Sequence, residues 1–477
     1  MKPMGRAMKK TIRNIKRLFF LLATFAGTSC ALQATSSPSV VRFEQVANDA
    51  SNLQLAIVGN SWGGNQPRIV QSADGQISLL YLRQDATGNP QWRLMQRNDS
   101  SSAWAEIATG HTSDNAHLLR DPVHDTLLVV AWPNGLPGIW HGPAFNQQAI
   151  PGSWQQLKIT ERHYDGVGIG SDGTLCLKAS HEYFPPGVPQ TLITDTDYIC
   201  GKNNGSAYVW GNYNAVSTNY RHAYDYLYPS VKTPQGVGLL AISQRDLYKD
   251  AAGISKMAGF PYVFNGTKIW WSDPNANPVT INSVVNVAPL SCPSGVTAAP
   301  ERRMHESYLD SKGRLFIGYL EIDTSVSPAK QQLFLAVADS ATGNDFFTSN
   351  MGLPPYGSIR IYQGANGRLW LLWSNKGTRY TQMVLYPLVE TGTGNTASFS
   401  LGTKYDLSGA FAPYAIDGNT FIAVPRGGSA PANVIDGIMG ACTVSYTTGI
   451  DYSTANCYNA DNSGNAKVFY FRIQLPN

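Results

Sequence analysis

The stretch that decides the fold runs Tyr226-Leu227-Tyr228-Pro229-Ser230-Val231-Lys232-Thr233-Pro234-Gln235-Gly236-Val237-Gly238-Leu239-Leu240-Ala241-Ile242-Ser243-Gln244-Arg245-Asp246. It reads as an aromatic and polar lead-in, a short strand, a Pro/Gly turn, and an apolar strand ending on Arg245. The plan recurs in Ile69–Leu82 around Asp74-Gly75, Leu118–Trp132 around His124-Asp125, and Val167–Ala179 around Asp172-Gly173. It returns in Ser307–Leu320 around Lys312-Gly313, Ile359–Trp373 around Asn366-Gly367, and Pro413–Val424 around Asp417-Gly418. Turn positions 75, 125, 173, 236, 313, 367 and 418 are separated by 50, 48, 63, 77, 54 and 51 residues. Asp-Gly and Asn-Gly between apolar runs signal hairpins, because these residues accept positive φ.

Second strand pairs fill the intervals, such as Gln91–Arg97 with Trp104–Ile107 and Gly138–Gly142 with Trp154–Ile159. Four strands about every fifty residues, seven times over, predict an all-β chain folded as a seven-bladed β-propeller. Two stacked β-sandwiches also space their strands evenly, and the near-constant period argues against them. Val40–Val46 is placed to close the ring against Val468–Gln474.

Composition agrees. Charged residues are 14%, aromatic residues 11%, and Gly and Pro number 45 and 28, with no long helical periodicity. A hydrophobic content of 43% is enough to fill a core and argues against disorder.

The first residues carry Lys2, Arg6, Lys9, Lys10, Arg13, Lys16 and Arg17, then the apolar run Leu18–Ala26 and small residues up to Ala31. That order predicts a secretory signal peptide over 1–31, with Ala34 a second cleavage site, and a single propeller domain over 32–477. Cys30 as a lipidated first residue is the alternative, and Gly27 stands where such a signal usually has a larger aliphatic residue. The leader holds seven of the 36 basic residues and none of the 32 acidic ones, so the remainder carries 29 against 32, a charge of −3. The expected product is a secreted or periplasmic monomer with no transmembrane anchor and no nucleic-acid partner. An oxidising compartment allows Cys176 to pair with Cys200 and Cys442 with Cys457, leaving Cys292 unpaired.

In a propeller the innermost strand of each blade opens onto one face through its lead-in. Counting eight residues back from each turn position gives Pro67, His117, Asp165, Tyr228, His305, Ile359 and Ala410. Four consecutive blades thus offer His, Asp, Tyr and His. His141, Arg221, His222, Arg245, Glu301 and Arg303 surround this sector in the sequence. Arginine or histidine can pair with a carboxylate, and tyrosine or histidine can exchange a proton with substrate. Each also has a structural reading: His117 as a backbone cap, Tyr228 as packing, Arg245 with Asp246 as an ion pair. There is no Gly-x-Ser-x-Gly elbow, no His-Glu-x-x-His, no zinc pattern and no phosphate-binding glycine loop. No metal site or cofactor is predicted; calcium is compatible with the chemistry, and nothing identifies its ligands.

The segments Tyr228-Pro229-Ser230-Val231 to Arg245-Asp246, Asn115-Ala116-His117, and Met304-His305-Glu306-Ser307-Tyr308 to Gly313 resemble the BNR-repeat propeller family. That family includes ulvan lyases and other lyases and rhamnosidases acting on rhamnose–glucuronate polysaccharides. The resemblance implies a seven-bladed propeller with His117, Tyr228 and Arg245 as catalytic residues. The family's second histidine, about twenty residues after the first, has Pro137 near its place here, with His141 as the nearest substitute. The tyrosine–arginine spacing is one residue longer than the family's.

The expected function is therefore a polysaccharide lyase cleaving an acidic, uronate-containing polymer by β-elimination. His117, Tyr228 and Arg245 are the expected catalytic residues, and His141, Asp165, Arg221, His222, Arg303 and His305 the substrate-binding ones. The alternatives are a glycoside hydrolase using Asp165 and Glu301 as its two carboxyl groups, and a non-catalytic sugar- or protein-binding propeller.

Overall fold

The computed structural model describes residues 37–50, 67–98, 103–113, 115–148, 165–183, 193–211, 214–217, 221–233, 236–247, 263–271, 281–286, 301–323, 326–340, 346–355, 357–376, 381–391, 398–412, 414–415, 422–443 and 467–476. Every strand named below lies in one compact unit, Pro38–Leu475. Among the described residues the fold is all-β, with seven antiparallel sheets of four or five strands and two short 3₁₀ turns, Pro133–Gly135 and Ser408–Phe411. None of their helices is long and apolar enough to cross a membrane.

We number the sheets I to VI by their first strands: Ile69–Gln71, Ala116–Asp121, Asp165–Ile169, Arg221–Thr233, Glu301–Leu309 and Ser358–Gln363. The hairpins predicted for these six are present. Their last pairs are Gln71↔Ile77, Asp121↔Thr126, Ile169↔Leu175, Thr233↔Gly236, Leu309↔Leu315 and Gln363↔Leu369. Gly75, Gly173, Gly313 and Gly367 take φ between 78° and 86°, and Asp125 takes 52° in the same role. Positive φ is where the chain reverses, and there glycine costs nothing and aspartate little.

The second strands read as near-continuous apolar runs because both of their faces are buried. In Ile77–Gln84, residues Ile77, Leu79 and Tyr81 pack toward the sheet of the chain ends, while Leu80 and Leu82 pack toward sheet II. In Leu369–Lys376, Leu369, Leu371 and Trp373 meet sheet V, and Trp370 and Leu372 meet the sheet of the chain ends. Strand alternation at period two divides each run between its two neighbours. Apolar clusters of this kind lie between I and II, II and III, III and IV, IV and V, and V and VI. Two more join VI to the chain-end sheet and that sheet back to I. Each fully buried Leu or Ile in them contributes roughly 1.5–3 kcal/mol.

Sheet VII is built from both ends of the chain. Ser39–Ala47 pairs with Lys467–Gln474, which pairs with Val434–Thr443. This is the strand pairing expected of Val40–Val46 with Val468–Gln474. An ion pair ties it to sheet I: Arg97 Nη1 reaches Glu44, whose carboxylate also accepts from Trp104 Nε1 at 2.8 Å, and the Arg97 guanidinium lies over the Tyr470 ring. Among the described residues the two limbs of the seventh expected hairpin do not pair with each other. Tyr414–Ala415 and Ile422–Ala423 both pair with Val434–Thr443 as two pieces of one broken strand, and the turn at 417–418 lies outside the described residues. Ala410 consequently falls in the 3₁₀ turn rather than at a strand entry. Sheet VII takes its other strands from the termini and has no need of a complete local hairpin. The strand expected at Trp154–Ile159 lies outside the described residues; Asn146–Gln148 is the fourth strand of sheet II.

First strands of successive sheets touch, from I with II through V with VI, and that of I touches Val434–Thr443. They surround the segment Val424–Asn433. Gly427 O accepts from Arg120 N at 2.7 Å in sheet II, and Ala430 N donates to Gln71 O at 2.8 Å in sheet I. Ala365 N donates to Ala432 O beside sheet VI. A Cβ on Gly428, whose φ is +84°, would lie 2.0 Å from Arg120 O and 3.1 Å from Ile169 of sheet III. One short segment can meet four of these sheets only if their edges converge on it.

Candidate functional site

Of the residues expected at the strand entries, Tyr228 is the one whose described side chain enters a polar centre. Its hydroxyl donates to Ser307 Oγ of sheet V at 3.0 Å. Burial raises its pKa far beyond the ordinary phenol range, against the opposing pull of the Ser307 bond and Arg426. The phenol therefore keeps its proton at neutral pH.

His117 lands elsewhere. It is 1% exposed, in the first strand of sheet II, with its ring edge-on to Trp132 at 5.5 Å. His141 belongs to the third strand of sheet II; its Nε2 lies 2.9 Å from Gln148 Oε1 and its ring meets Tyr208 edge-on. Gln148 binds the Tyr208 backbone in turn, so His141 joins sheets II and III. His305 is half-buried at a bulge, where Met304 pairs with Tyr319 and Glu306 with Gly318. Bulges re-aim the residue they insert.

The side chains of Asp165, Arg221, His222, Arg245, Glu301 and Arg303 lie outside the described residues, but the backbone register places their positions. His222 is paired with Arg245 and Arg221 with Asp246. Asp165 opens the first strand of sheet III, and Arg303 sits near the start of that of sheet V. Along the second strand of sheet IV, position 245 shares the alternation of Leu239 and Ala241, which meet sheet III. Tyr228 is opposite Leu240, on the alternation that meets sheet V. The register thus sets Tyr228 and Arg245 on opposite faces of one sheet.

What the tertiary structure assembles around Tyr228 is a buried group from three sheets and the central segment. Glu306 is fully buried. Its Oε1 accepts from Ser307 N at 2.9 Å, and its Oε2 from Ile361 N at 3.3 Å and Arg426 Nη2 at 2.9 Å. Arg426 Nη2 also donates to Ile361 O at 2.6 Å, and its guanidinium covers the Tyr308 ring at 4.8 Å. Burial works against the Arg426 charge, but Glu306 and the tyrosines raise its pKa.

Arg360, 3% exposed, donates from Nε to Ile422 O at 2.9 Å and from Nη1 to Ile359 O at 2.7 Å and His305 O at 3.4 Å. Tyr226 is 7% exposed and acts electrostatically on Arg360, Glu306, Tyr228 and Arg426; burial raises its pKa well above the phenol range. Tyr308 is pushed up to about 12 by burial. A cavity of about 280 Å³ adjoins the group, lined by Tyr308, Tyr362, Arg426 and the glycine-rich backbone on either side. Among the described residues no three His, Cys, Asp or Glu side chains group closely enough to hold a metal ion.

Counting eight back from the turns finds Tyr228 and misses Glu306 and Arg360 by one residue. Counting seven finds Arg68, Glu306 and Arg360, all buried. The signal was present as ionisable residues inside apolar strands, a costly placement that requires partners. Arg426 gave no comparable signal, since it lies on a loop.

Neither a protein-family model nor any curated protein matches the chain. Solved structures do. The crystal structure of the polysaccharide lyase Uly1 aligns with a TM-score of 0.52 at 10% identity, over 92% of this chain and 100% of that one. A PL25 ulvan lyase bound to a GlcA-containing saccharide aligns at 0.47 and 12% identity, over 83% and 93%. A puromycin-hydrolysing peptidase of Mycobacterium tuberculosis aligns at 0.43 and 10%, over 87% and 56%. The first of these likenesses is one of fold, and fold alone does not carry an activity.

Proposed function

We propose that the seven sheets are the blades of a propeller that acts as an exported, carbohydrate-active enzyme, a polysaccharide lyase on a uronate-containing polymer. The carrying observation is the Tyr228 phenol, which enters the buried polar group shared by sheets IV, V and VI and donates to Ser307 Oγ. Arg221, His222 and Arg245 cluster by register, and Arg303 and His305 begin the neighbouring strand. The fold of Uly1 supports the same reading. The Cys176–Cys200 disulfide, directly across the two strands it joins, fits an oxidising compartment. The second expected disulfide lies outside the described residues, because Cys457 does, and the leader at 1–31 lies outside them too.

In the reaction a cationic side chain at the strand entries pairs with the uronate carboxylate and stabilises the charge that develops as the adjacent C–H breaks. His305, at the bulge of the neighbouring strand, takes that proton, imidazole being suited to proton transfer near neutrality. The C–O bond to the leaving sugar then breaks, a C=C bond forms in conjugation with the carboxylate, and Tyr228 gives its proton to the leaving oxygen. Burial keeps the Tyr228 phenol protonated, so it enters the reaction with the proton it gives. His117, enclosed against Trp132, takes no chemical part in this reading.

Incubation with a panel of uronate polysaccharides, with and without a chelator, tests it. Growth of ultraviolet absorbance from the conjugated product is the expected result. Reducing ends without that absorbance identify a hydrolase, and retention on glycan with neither product identifies a binding propeller.

A further inference from the structure

We propose that the cavity at the turn end of sheets V and VI binds one neutral sugar ring, at a place separate from the strand entries. Its lining brings together the two hairpin turns, through Ser311, Gln363 and Ala365, with the central segment 425–431. These turns are at the ends of the first strands away from Arg303 and His305; from Arg303 to Leu309 the strand of sheet V covers about 20 Å. Hydrogen bonds among the wall residues fix the cavity's shape. Ser311 N donates to Gln363 Oε1 at 2.9 Å, and Gln363 Nε2 donates to Gly367 O at 3.0 Å. Tyr362 Oη and Ala365 N both donate to Ala432 O, at 3.0 and 3.1 Å. A site held open in this way needs little ordering when a ligand arrives.

Size, charge and surface choose the ligand. The volume of about 280 Å³ is just below the range of about 300–1,000 Å³ that takes drug-sized molecules, so it suits one ring and not an oligosaccharide. Among the described residues Arg426 is the one charged side chain in the lining. Its Nη2 is engaged by Glu306 and Ile361 O, and its Nη1 donates to Pro425 O at 3.2 Å, so it offers an anion no unpaired charge. Among the described residues no Asp, Glu or His lines the cavity to attract a cation. Tyr308, Tyr362, Pro425 and Pro431 supply apolar surface, against which the C–H face of a sugar can lie. Ser311, Gln363 and Ser429 bring hydroxyl and amide groups to the same space, and a purely apolar ring would strip these of water without replacing its hydrogen bonds. A neutral sugar satisfies both surfaces. This inference goes beyond the lyase reading and does not rest on it, since a propeller that cleaves nothing would bind the same ligand.

Methyl glycosides of several neutral sugars, glucuronate and cyclohexanol are titrated separately into the full-length protein, and binding is followed by ligand-observed NMR. The expected result is saturable binding of at least one neutral glycoside, in the millimolar range usual for so small a ligand, and tighter than that of glucuronate or cyclohexanol. Ala365→Trp, which adds bulk at an exposed position of the lining, should weaken it about tenfold or more. Tyr228→Phe should leave it unchanged. The proposal is overturned by the absence of saturable neutral-sugar binding, by tighter binding of glucuronate or cyclohexanol, or by equal losses in Tyr228→Phe and Ala365→Trp. A crystal soaked in the best-bound glycoside decides the matter even if Ala365→Trp fails to fold. A sugar in contact with Tyr308 and Ser311 supports the site, and a sugar bound only elsewhere, or none, overturns it. The ultraviolet assay for the lyase is unaffected by either outcome, so the two readings fail separately.

Discussion

His117 and Tyr228 stand at the same count from their turns, and the molecule treats them in opposite ways. Around His117, the ring stands edge-on to Trp132, which packs with Leu119 and Val167 between sheets II and III. Around Tyr228, the facing strand of sheet V brings Ser307 and, beside it, Glu306, while the central segment adds Arg426. The repeat fixes where a side chain begins. The neighbouring sheet decides what it meets, and therefore which chemistry is open to it.

The largest effect that can break this contrast is on turnover. Tyr228→Phe should lower the rate of unsaturated-product formation by about 10²–10⁴-fold, at a stability cost of about 1 kcal/mol for the lost Ser307 bond. Full activity in this variant would remove the distinction between the two positions. Glu306→Ala tests the polar side through stability. It leaves the Arg426 charge buried without its partner, and chemical denaturation should show a loss of about 3–5 kcal/mol; Glu306→Gln, which keeps an acceptor, should lose less.

A smaller effect lies at the seam between sheets III and IV. Burial acts to raise the Asp172 pKa, but Lys202, Ser230 and Thr174 outweigh it and hold it at about 2 instead of 3.8. A depressed carboxylate pKa gives stability that is present above the ordinary value and lost as pH falls through the folded one. Wild-type Tm should therefore lose this contribution between pH 3.8 and about 2. Asp172→Asn should lack that part of the acid slope while losing less than about 1 kcal/mol at neutral pH, since the pair with Lys202 is solvent-exposed. The smallest effect is expected on the apolar side: in His117→Gln, turnover and its pH profile should match the wild type, and a shifted profile would return His117 to the chemistry.

Much of the fold could be read from local chemistry. Asp74-Gly75, Asp172-Gly173 and Asn366-Gly367 announce hairpins because so few residues accept the backbone angles of those turns. Runs such as Ile77-Ser78-Leu79-Leu80-Tyr81-Leu82 announce strands buried on both faces. The failed prediction at Pro413–Val424 has the same origin: a local turn signal was present, but pairing with Val434–Thr443 claimed both limbs.

The candidate site was less legible. Tyr228 was found, but its partners come from residues 79 and 120 or more positions apart along the chain, as in Tyr228 with Ser307 and Glu306 with Arg426. Bulges after Ala223, Tyr228 and Met304 also shift the register that a count from the turns assumes.

By itself the sequence determined six hairpins and the repeat that sets their sheets in order, because turn angles and period-two burial are properties of neighbouring residues. Only the tertiary structure decided that Glu306, Arg360 and Arg426 would share one buried centre with Tyr226 and Tyr228. Buried charges and phenols are settled by which groups face them across a sheet boundary, and no local pattern records that.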